Sequence, residues 1–199
     1  MQLAEERGGL WHPGAQRAMM GMSSTEWSRY MHEVIELPEP PEEISSEVVR
    51  RLSAIYREEL PLIPGAVFAV RRLAERFRLA LASSSNRELI DLVLELARIG
   101  DCFEATVSSE EVARGKPAPN VYLEAARLLE VVPEDCAAVE DSENGILSAR
   151  RAGMRVIAIP NPRYPPDDDA LAEADVVLRS PGELTPALVE RLKPREWRS

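Results

Sequence analysis

The chain has 199 residues, of which 45% are hydrophobic and 29% charged, a balance typical of a compact globular protein. No run of about 18 apolar residues is present, so the sequence predicts no transmembrane helix. The start of the chain does not resemble a secretory signal either. The net charge of −10 argues against sequence-independent binding to nucleic acid, which requires a cationic surface. Cys102 and Cys136 are interpreted as buried reduced thiols rather than a disulfide or a metal pair, and we expect a cytoplasmic protein.

The first third of the chain is predicted to be entirely helical. Helices are expected at three places: residues 2–7, residues 15–35 with a turn near 21–25, and residues 42–60. In the last of these, apolar residues recur at spacings of three and four and form one apolar face: Val48, Leu52, Ile55 and Tyr56. Three prolines interrupt the chain just before this helix: Pro38, Pro40 and Pro41.

After Pro61 the pattern changes to short apolar strands that alternate with helices. Strands are expected at residues 79–82, 105–107, 137–139, 156–159 and 175–178. Helices are expected at residues 67–76, 87–99, 121–131, 146–152 and 184–192. This alternation predicts the α/β class, with a parallel sheet covered by helices on both faces. The polar, proline-containing residues 160–169 are predicted to form a solvated loop.

Polar side chains follow three of the predicted strands. Ser83 follows the first strand, Lys116 comes after the second, and Glu140 and Asp141 follow the third. Each group is separated from the next by about one strand–helix–strand unit. Ligands of a doubly wound parallel sheet bind outside the carboxyl ends of the strands. We therefore expect the three groups to face one crevice.

Each group also has a purely structural interpretation. Residues 83–86 could be a turn that caps the next helix, and Lys116 could be a solvated surface lysine. Asp141 or Ser142 could cap the helix that follows the third strand. Glu140 is harder to explain in this way, because a carboxylate at the end of a buried strand is costly unless it is paired or metal-bound.

Taken together, the groups suit phosphoryl transfer, which depends mainly on positioning and charge stabilisation. The hydroxyl of Ser83 and its adjacent backbone amides can hold phosphate oxygens without adding charge. Lys116 can neutralise a phosphoryl group and a neighbouring carboxylate. The hard oxygens of Glu140 and Asp141 suit Mg²⁺, which keeps waters and takes a phosphate oxygen. The set contains no nucleophile and no proton donor.

Three stretches of the sequence carry a family resemblance. They are Leu-Ala-Ser-Ser-Ser-Asn at residues 81–86, Gly-Lys-Pro-Ala-Pro at 115–119 and Val-Glu-Asp-Ser-Glu-Asn-Gly at 139–145. In this order they resemble the second, third and fourth motifs of the haloacid dehalogenase superfamily, and in detail its β-phosphoglucomutase-like branch. The resemblance covers nearly the whole chain. It implies a Rossmann-like, doubly wound core at residues 63–199 and an inserted helical cap at residues 1–62.

The resemblance also implies roles for individual residues. Ser83 and Lys116 would be catalytic and would bind the phosphoryl group. The substrate pocket would be lined by Ser84, Ser85 and Asn86. Glu140 and Asp141 would serve a Mg²⁺ cofactor, and the helical cap would close over the crevice.

The first motif of the superfamily, Asp-x-Asp-Gly, does not occur in the sequence. The resemblance implies that its two aspartates are the nucleophile and the general acid/base, and that both touch the metal. Residues 167–169 contain three aspartates, but they follow the fourth motif and have no preceding strand, so we do not accept them as a substitute. We expect the first core strand to be missing with the motif. This implies either that Met1 is not the natural start or that the product is a marginal, inactive fragment.

Three functions compete at this point. The favoured one is a phosphatase that hydrolyses a small phosphorylated metabolite through an aspartyl-phosphate in its full-length form. The second is a sugar-phosphate mutase, whose cap would grip a second phosphate with Arg50 and Arg51, although both suit a solvated helix face. The third is a non-catalytic protein that binds a phosphorylated ligand. A dinucleotide-binding domain is a weak fourth reading, because no G-x-G-x-x-G follows a predicted strand. We expect a monomer with neither a nucleic-acid nor a membrane partner.

Overall fold

The computed structural model describes residues 2–192. The first third of the chain forms four helices, which we call the cap helices: α1 (Gln2–Glu6), α2 (Ala15–Met19), α3 (Ser24–Glu33) and α4 (Pro41–Glu58). The turn predicted near residues 21–25 is the start of α3, where Ser23 and Glu26 form a capping box. Helix α4 has Pro41 in its first turn, a position that needs no backbone N–H donor.

The cap helices enclose a hydrophobic cluster of their own. Its buried members are Leu3, Ala4, Ala15, Met31, Ile35, Leu37 and Ile44. Trp11, Trp27 and Tyr30 pack against this cluster, and His12 Nε2 lies 2.8 Å from the Tyr30 hydroxyl. The first third of the chain therefore has a core distinct from that of the strands. The boundary at residue 62 between cap and core stays a prediction.

The second part of the described chain alternates strands with helices. The strands are β1 (Ala80–Ser83), β2 (Ala105–Ser108), β3 (Ala137–Glu140), β4 (Arg155–Ala158) and β5 (Val176–Val177). The helices are α5 (Ala66–Ala74), α6 (Arg87–Ala97), α7 (Asn120–Leu128), α8 (Glu143–Arg151), α9 (Asp168–Ala172) and α10 (Pro186–Arg191). Residues 193–199 of the predicted core lie outside the described residues.

Helix α9 is the one described α-helix that the sequence reasoning missed. It begins inside the segment predicted as a loop, and the Asp167 side chain caps it by accepting a hydrogen bond from the Ala170 N–H at 2.9 Å. The run of acidic residues was interpreted as solvated polar chain. It is instead a capped helix start, where negative charge is favourable. The loop after β4 is therefore shorter than predicted.

All the strand pairs found among residues 2–192 are parallel. Strand β1 pairs with β2, and Ala80 lies opposite Ala105; strand β4 pairs with both β3 and β5. The described strands thus form a two-stranded and a three-stranded sheet, and β1 and β3 each pair with one neighbour. The predicted α/β class with parallel strands is confirmed. The predicted absence of a first core strand stays a prediction.

Helices cover both faces of the strands. On one face, a cluster from α7, α8 and strands of both sheets includes Val107, Val121, Ile146 and Val156. On the other face, Leu73 of α5 packs with Ile157 and Leu184. Because the first cluster contains residues of both sheets, it fixes the ends of β1 and β3 relative to each other. Among residues 2–192 no helix has the length and hydropathy needed to cross a bilayer.

Candidate active site

The side chain of Lys116 joins the carboxyl ends of the two sheets. Its ammonium donates one hydrogen bond to the Ala82 carbonyl in β1 at 3.1 Å and one to Glu140 Oε1 in β3 at 2.5 Å. Ala82 immediately precedes Ser83, and Glu140 immediately precedes Asp141. Lys116 and Glu140 therefore meet at the strand ends, as predicted, whereas the convergence of Ser83 and Asp141 on a shared ligand stays a prediction. The interpretation of Lys116 as a solvated surface residue is wrong, because only 7% of it is exposed.

Glu140 is held from three sides. Its Oε1 accepts hydrogen bonds from Lys116 and from the phenol of Tyr122, and only 8% of the residue is exposed. Its Oε2 lies against the start of α8, where a Cβ on Gly145 would overlap the carboxylate. Burial of this carboxylate is tolerated because it is paired and hydrogen-bonded. We call Lys116, Glu140 and Tyr122 the ion-pair cluster.

Asp141 follows Glu140 and faces the same end of the sheet. Burial raises the pKa of Asp141, and the neighbouring Glu140 charge raises it further, whereas Lys116 and a hydrogen bond from the Asn161 side chain lower it. Burial and a neighbouring negative charge therefore both disfavour the ionised form of this carboxyl group. Asn161 was placed in a solvated loop by the sequence reasoning, which missed its contact with the site.

Ser142 has the structural role that the sequence left open. Its Oγ accepts a hydrogen bond from the Gly145 N–H at 3.3 Å and caps α8. The capping interpretation is therefore correct for Ser142 and does not apply to Asp141, whose carboxylate is left for another role. Capping also orients the first turn of α8 beside Glu140.

The hydroxyl-rich residues after β1 do not cap the next helix. Ser83 Oγ accepts a hydrogen bond from the Ser85 N–H at 3.1 Å, which forms a local turn, and Ser84 Oγ donates to the Gly21 carbonyl at 2.9 Å. Asn86 occupies the first cap position of α6, yet its side chain makes no capping bond. The interpretation of residues 83–86 as a capping turn is therefore wrong. Their proposed roles in phosphate and substrate binding stay predictions.

Asn86 lies at the contact between the cap helices and the strand ends. Its amide donates to Glu110 Oε1 at 2.8 Å and to Ser45 Oγ at 3.1 Å. Glu110 also accepts from Ser24 Oγ at 2.6 Å and from the Arg87 N–H at 2.9 Å. The Glu110 carboxylate therefore connects α3 to the loop after β1, and Asn86 extends this connection to α4 through Ser45. Sequence reasoning missed Glu110, since its partners lie far away in the chain.

A second contact joins the end of α2 to the first turn of α8, the helix that follows β3. The Asn144 amide donates to the Met20 carbonyl at 2.8 Å. A cavity of about 220 Å³ lies at this junction, and its lining comes from α2 and its end, the start of α8 and the loop after β4: Arg17, Ala18, Met20, Ser142, Glu143, Asn144, Tyr164, Pro165 and Pro166. The cavity borders the motif that contains Asp141.

Comparisons with known proteins show the family of this chain. The family model for haloacid dehalogenase-like hydrolases matches residues 4–153. The chain belongs to this family. It is 38% identical over 145 residues, or 72% of its length, to hexitol phosphatase B of Escherichia coli strain K12. It is 36% identical over 137 residues, or 68% of its length, to the β-phosphoglucomutase of Bacillus subtilis strain 168.

The fold of this family is also evident from a solved structure. The crystal structure of CbbY from Rhodobacter sphaeroides in complex with phosphate has a TM-score of 0.77 and 25% identity, and the match covers 95% of this chain and 88% of that one. Among the curated relatives, the matches span 65% of hexitol phosphatase B and 55% of the β-phosphoglucomutase. This chain therefore covers less than two thirds of the length of either relative.

The family implies a divalent cation, and the donors at the strand ends fit one. Among residues 2–192, no group of three or more His, Cys, Asp and Glu side chains is arranged to enclose a metal ion. Mg²⁺ does not require such a cage, because it is bound through one or two carboxylates and keeps several waters and phosphate oxygens. Asp141, a partly buried carboxylate at the end of β3 beside Glu140, suits this role. Glu140 is less free, since Oε1 already accepts two hydrogen bonds.

Proposed function

We propose that this protein is a Mg²⁺-dependent phosphatase that hydrolyses a small phosphorylated metabolite, such as a sugar or polyol phosphate, to the alcohol and inorganic phosphate. In a form that carries the Asp-x-Asp-Gly motif, the reaction would proceed through an aspartyl-phosphate. The support for this proposal is the meeting of Lys116 with the ends of β1 and β3, in a family whose named relatives include phosphatases.

The proposed roles follow from the positions of the groups. Lys116 binds and neutralises the phosphoryl group, and Ser83, at the end of β1, binds it through its hydroxyl and adjacent N–H groups. Ser84, Ser85 and Asn86 orient the rest of the substrate beneath the cap helices. Asp141, with Glu140 as a second carboxylate, would hold Mg²⁺. When bound, this cation would supply the positive charge that stabilises the transferring phosphoryl group.

The ion pairs formed by two arginines of the cap helices favour a phosphatase over a sugar-phosphate mutase. A mutase needs a cation on the cap for a second phosphate, and Arg50 and Arg51 were the candidates. Both are paired with Glu47, whose pKa they lower to about 2, and Arg51 also pairs with Glu6. A phosphate would have to displace these carboxylates. The second phosphate site of a mutase therefore has less support.

Ligand binding tests the proposal on this chain directly. Isothermal titration with inorganic phosphate should show binding that strengthens with added Mg²⁺. Asp141→Asn should abolish the effect of Mg²⁺, and Lys116→Met should weaken phosphate binding by about tenfold or more, since it removes a charged hydrogen-bond donor. Glu95→Ala, at an exposed position on α6, is the matched control. Phosphate binding that ignores both site substitutions would contradict the proposed roles.

Hydrolysis is tested separately. We expect no turnover by this chain alone, because the sequence has no Asp-x-Asp-Gly motif. If the reading frame continues upstream of Met1 and encodes that motif, the longer product should hydrolyse phosphate monoesters with Mg²⁺. A panel of hexitol phosphates, hexose phosphates and a nucleoside monophosphate then compares substrates. Interconversion of sugar phosphates without phosphate release would favour the mutase instead. A cytoplasmic location and a monomeric state stay predictions.

A further inference from the structure

Tyr122 reaches both members of the buried ion pair. It lies in the first turn of α7, the helix that packs on β1 and β2, and only 7% of it is exposed. Its phenol donates a hydrogen bond to Glu140 Oε1 at the end of β3. The Lys116 ammonium lies 4.9 Å from the centre of its ring. The hydroxyl therefore holds the carboxylate while the ring face attracts the cation.

The hydrogen bonds of Lys116 leave one donor for a ligand. An ammonium has three N–H donors and no acceptor. Within residues 2–192, the acceptors that Lys116 contacts are the Ala82 carbonyl and Glu140 Oε1. The third N–H is available to an oxygen entering the crevice. Its direction is set by the other two bonds and by the tyrosine ring beneath the ammonium.

A buried ion pair is stable only when its geometry is well fixed. Removing two charges from water is expensive, and the mutual attraction compensates only if further hydrogen bonds satisfy the remaining lone pairs. Tyr122 supplies such a bond to Glu140. A phenol is protonated at neutral pH in any case, so Tyr122 is a hydrogen-bond donor here. Without it, the carboxylate could rotate and carry the ammonium with it.

The choice of residue at position 116 also fits this arrangement. The chain has 24 lysine and arginine residues, of which only Lys116 and Lys193 are lysines. Surface cations of the described chain are thus arginines. An ammonium is a compact point charge with three donors on one atom, whereas the donors of a guanidinium are spread over a planar fork.

We propose that Tyr122 is a positioning residue, whose hydroxyl and ring hold Lys116 and Glu140 in the one geometry that presents the free ammonium donor to a phosphoryl oxygen. That the presented ligand is a phosphoryl group rests on the proposed function. The positioning of Lys116 by Tyr122 does not rest on it, because the effect of Tyr122 on the Lys116 ammonium can be measured without any ligand.

The scarcity of lysines makes the test direct. In a Lys193→Arg background, Lys116 is the only lysine, so ¹⁵N labelling of lysine side chains gives a single ammonium signal by NMR. We expect a slowly exchanging signal, as for a buried and hydrogen-bonded ammonium. Adding Tyr122→Phe keeps the ring and removes the hydroxyl. It should shift the signal, speed its hydrogen exchange by about tenfold, and weaken binding of inorganic phosphate with Mg²⁺ by about tenfold.

Two controls separate positioning from general stability. Tyr56→Phe, on the cap helix α4, should leave the ammonium signal and the phosphate affinity unchanged. Urea unfolding of each variant checks that the fold is retained. If Tyr122→Phe is too unstable to examine, the phenol proton of the Lys193→Arg protein should still show a nuclear Overhauser contact with the Lys116 ammonium.

The results of these experiments distinguish the positioning role of Tyr122 from the proposed function. An unchanged Lys116 signal, exchange rate and phosphate affinity in Tyr122→Phe would overturn the positioning role, as would an absent Overhauser contact. A changed Lys116 signal in a protein that binds no phosphate, with or without Mg²⁺, would support positioning by Tyr122 and reject the proposed function. A changed signal together with weaker phosphate binding supports both.

Discussion

The ion-pair cluster and the contact between the cap helices and the core hold neighbouring parts of the same crevice by different means. In the cluster, two charges and a phenol are removed from water and bound to each other. At the cap contact, uncharged hydroxyl and amide donors bind the Glu110 carboxylate and two backbone carbonyls. The first arrangement is costly to break because both partners of the pair are buried charges, whereas the second uses neutral donors, whose individual hydrogen bonds contribute less.

This difference separates the fixed part of the site from the part that can open. A typical neutral-donor hydrogen bond contributes a net of only about 0.5–1.5 kcal/mol, because folding exchanges it for hydrogen bonds to water. Removing one partner of a buried pair costs about 3–5 kcal/mol, because the other charge is left without compensation. The strand ends should therefore keep their geometry while the cap helices open locally to admit a ligand.

The largest expected effect tests the buried charge itself. Lys116→Met should lower the free energy of unfolding by about 3–5 kcal/mol, because Glu140 is left buried without a cation. Urea unfolding followed by circular dichroism measures it. The double variant Lys116→Met/Glu140→Gln removes both charges and keeps an acceptor for Tyr122, so it should recover most of the loss. A double variant as unstable as Lys116→Met would show that packing, rather than charge, is responsible.

The second effect tests how closely helix α8 approaches Glu140. A Cβ at Gly145 would overlap the Glu140 carboxylate, so Gly145→Ala should displace either the helix or the carboxylate. We expect a loss of about 2–4 kcal/mol of unfolding free energy, as for overpacking or a broken buried pair. Gly100→Ala is the control, because the nearest atom to its new Cβ is Leu94 Cβ at 3.8 Å. Equal effects at both glycines would contradict the close approach.

The two regions also differ in how far the sequence predicted them. Ser83, Lys116, Glu140 and Asp141 could be located because each follows an apolar strand, and parallel strands bring their carboxyl ends together. The partners could not be located in this way. Tyr122 reads as a core residue of an amphipathic helix, and nothing local reveals that its hydroxyl reaches β3.

The cap contact was invisible for a related reason. Ser24 and Glu110 are 86 residues apart and look like ordinary polar surface residues in the sequence. The spacing of apolar residues predicted the other α-helices and the strands, because this spacing is a local property of the sequence. It missed α9, whose five residues are too few to show a period. Pairing between distant polar groups depends on how the elements pack, which local patterns in a single sequence do not reveal.

The third prediction concerns opening of the cap helices. Glu110→Ala removes acceptors from Ser24, Asn86 and the Arg87 N–H, so local opening should become easier by about 1–2 kcal/mol, while global unfolding changes less. Hydrogen exchange by mass spectrometry should show faster exchange in α3 and around residues 20–28, with β4 unaffected. Glu95→Ala serves as the control. Uniform acceleration across the chain would mean that Glu110 supports the whole fold and not the cap contact.

The smallest expected effect concerns an ion pair that has good hydrogen-bond geometry but is exposed to solvent. Arg127 and Glu124 on α7 form two parallel hydrogen bonds of 2.8 and 2.7 Å, as regular as any in the ion-pair cluster, yet the Arg127 side chain is 67% exposed. Arg127→Ala should shift the urea midpoint by less than about 0.1 M, because exposed pairs are screened and replaced by water. It should still raise the pKa of Glu124, which Arg127 now lowers, and NMR titration of the carboxylate can detect this. A pKa change without a stability change would show that desolvation, and not bond geometry, makes Lys116 and Glu140 sensitive. A midpoint shift as large as that of Lys116→Met would reject that explanation.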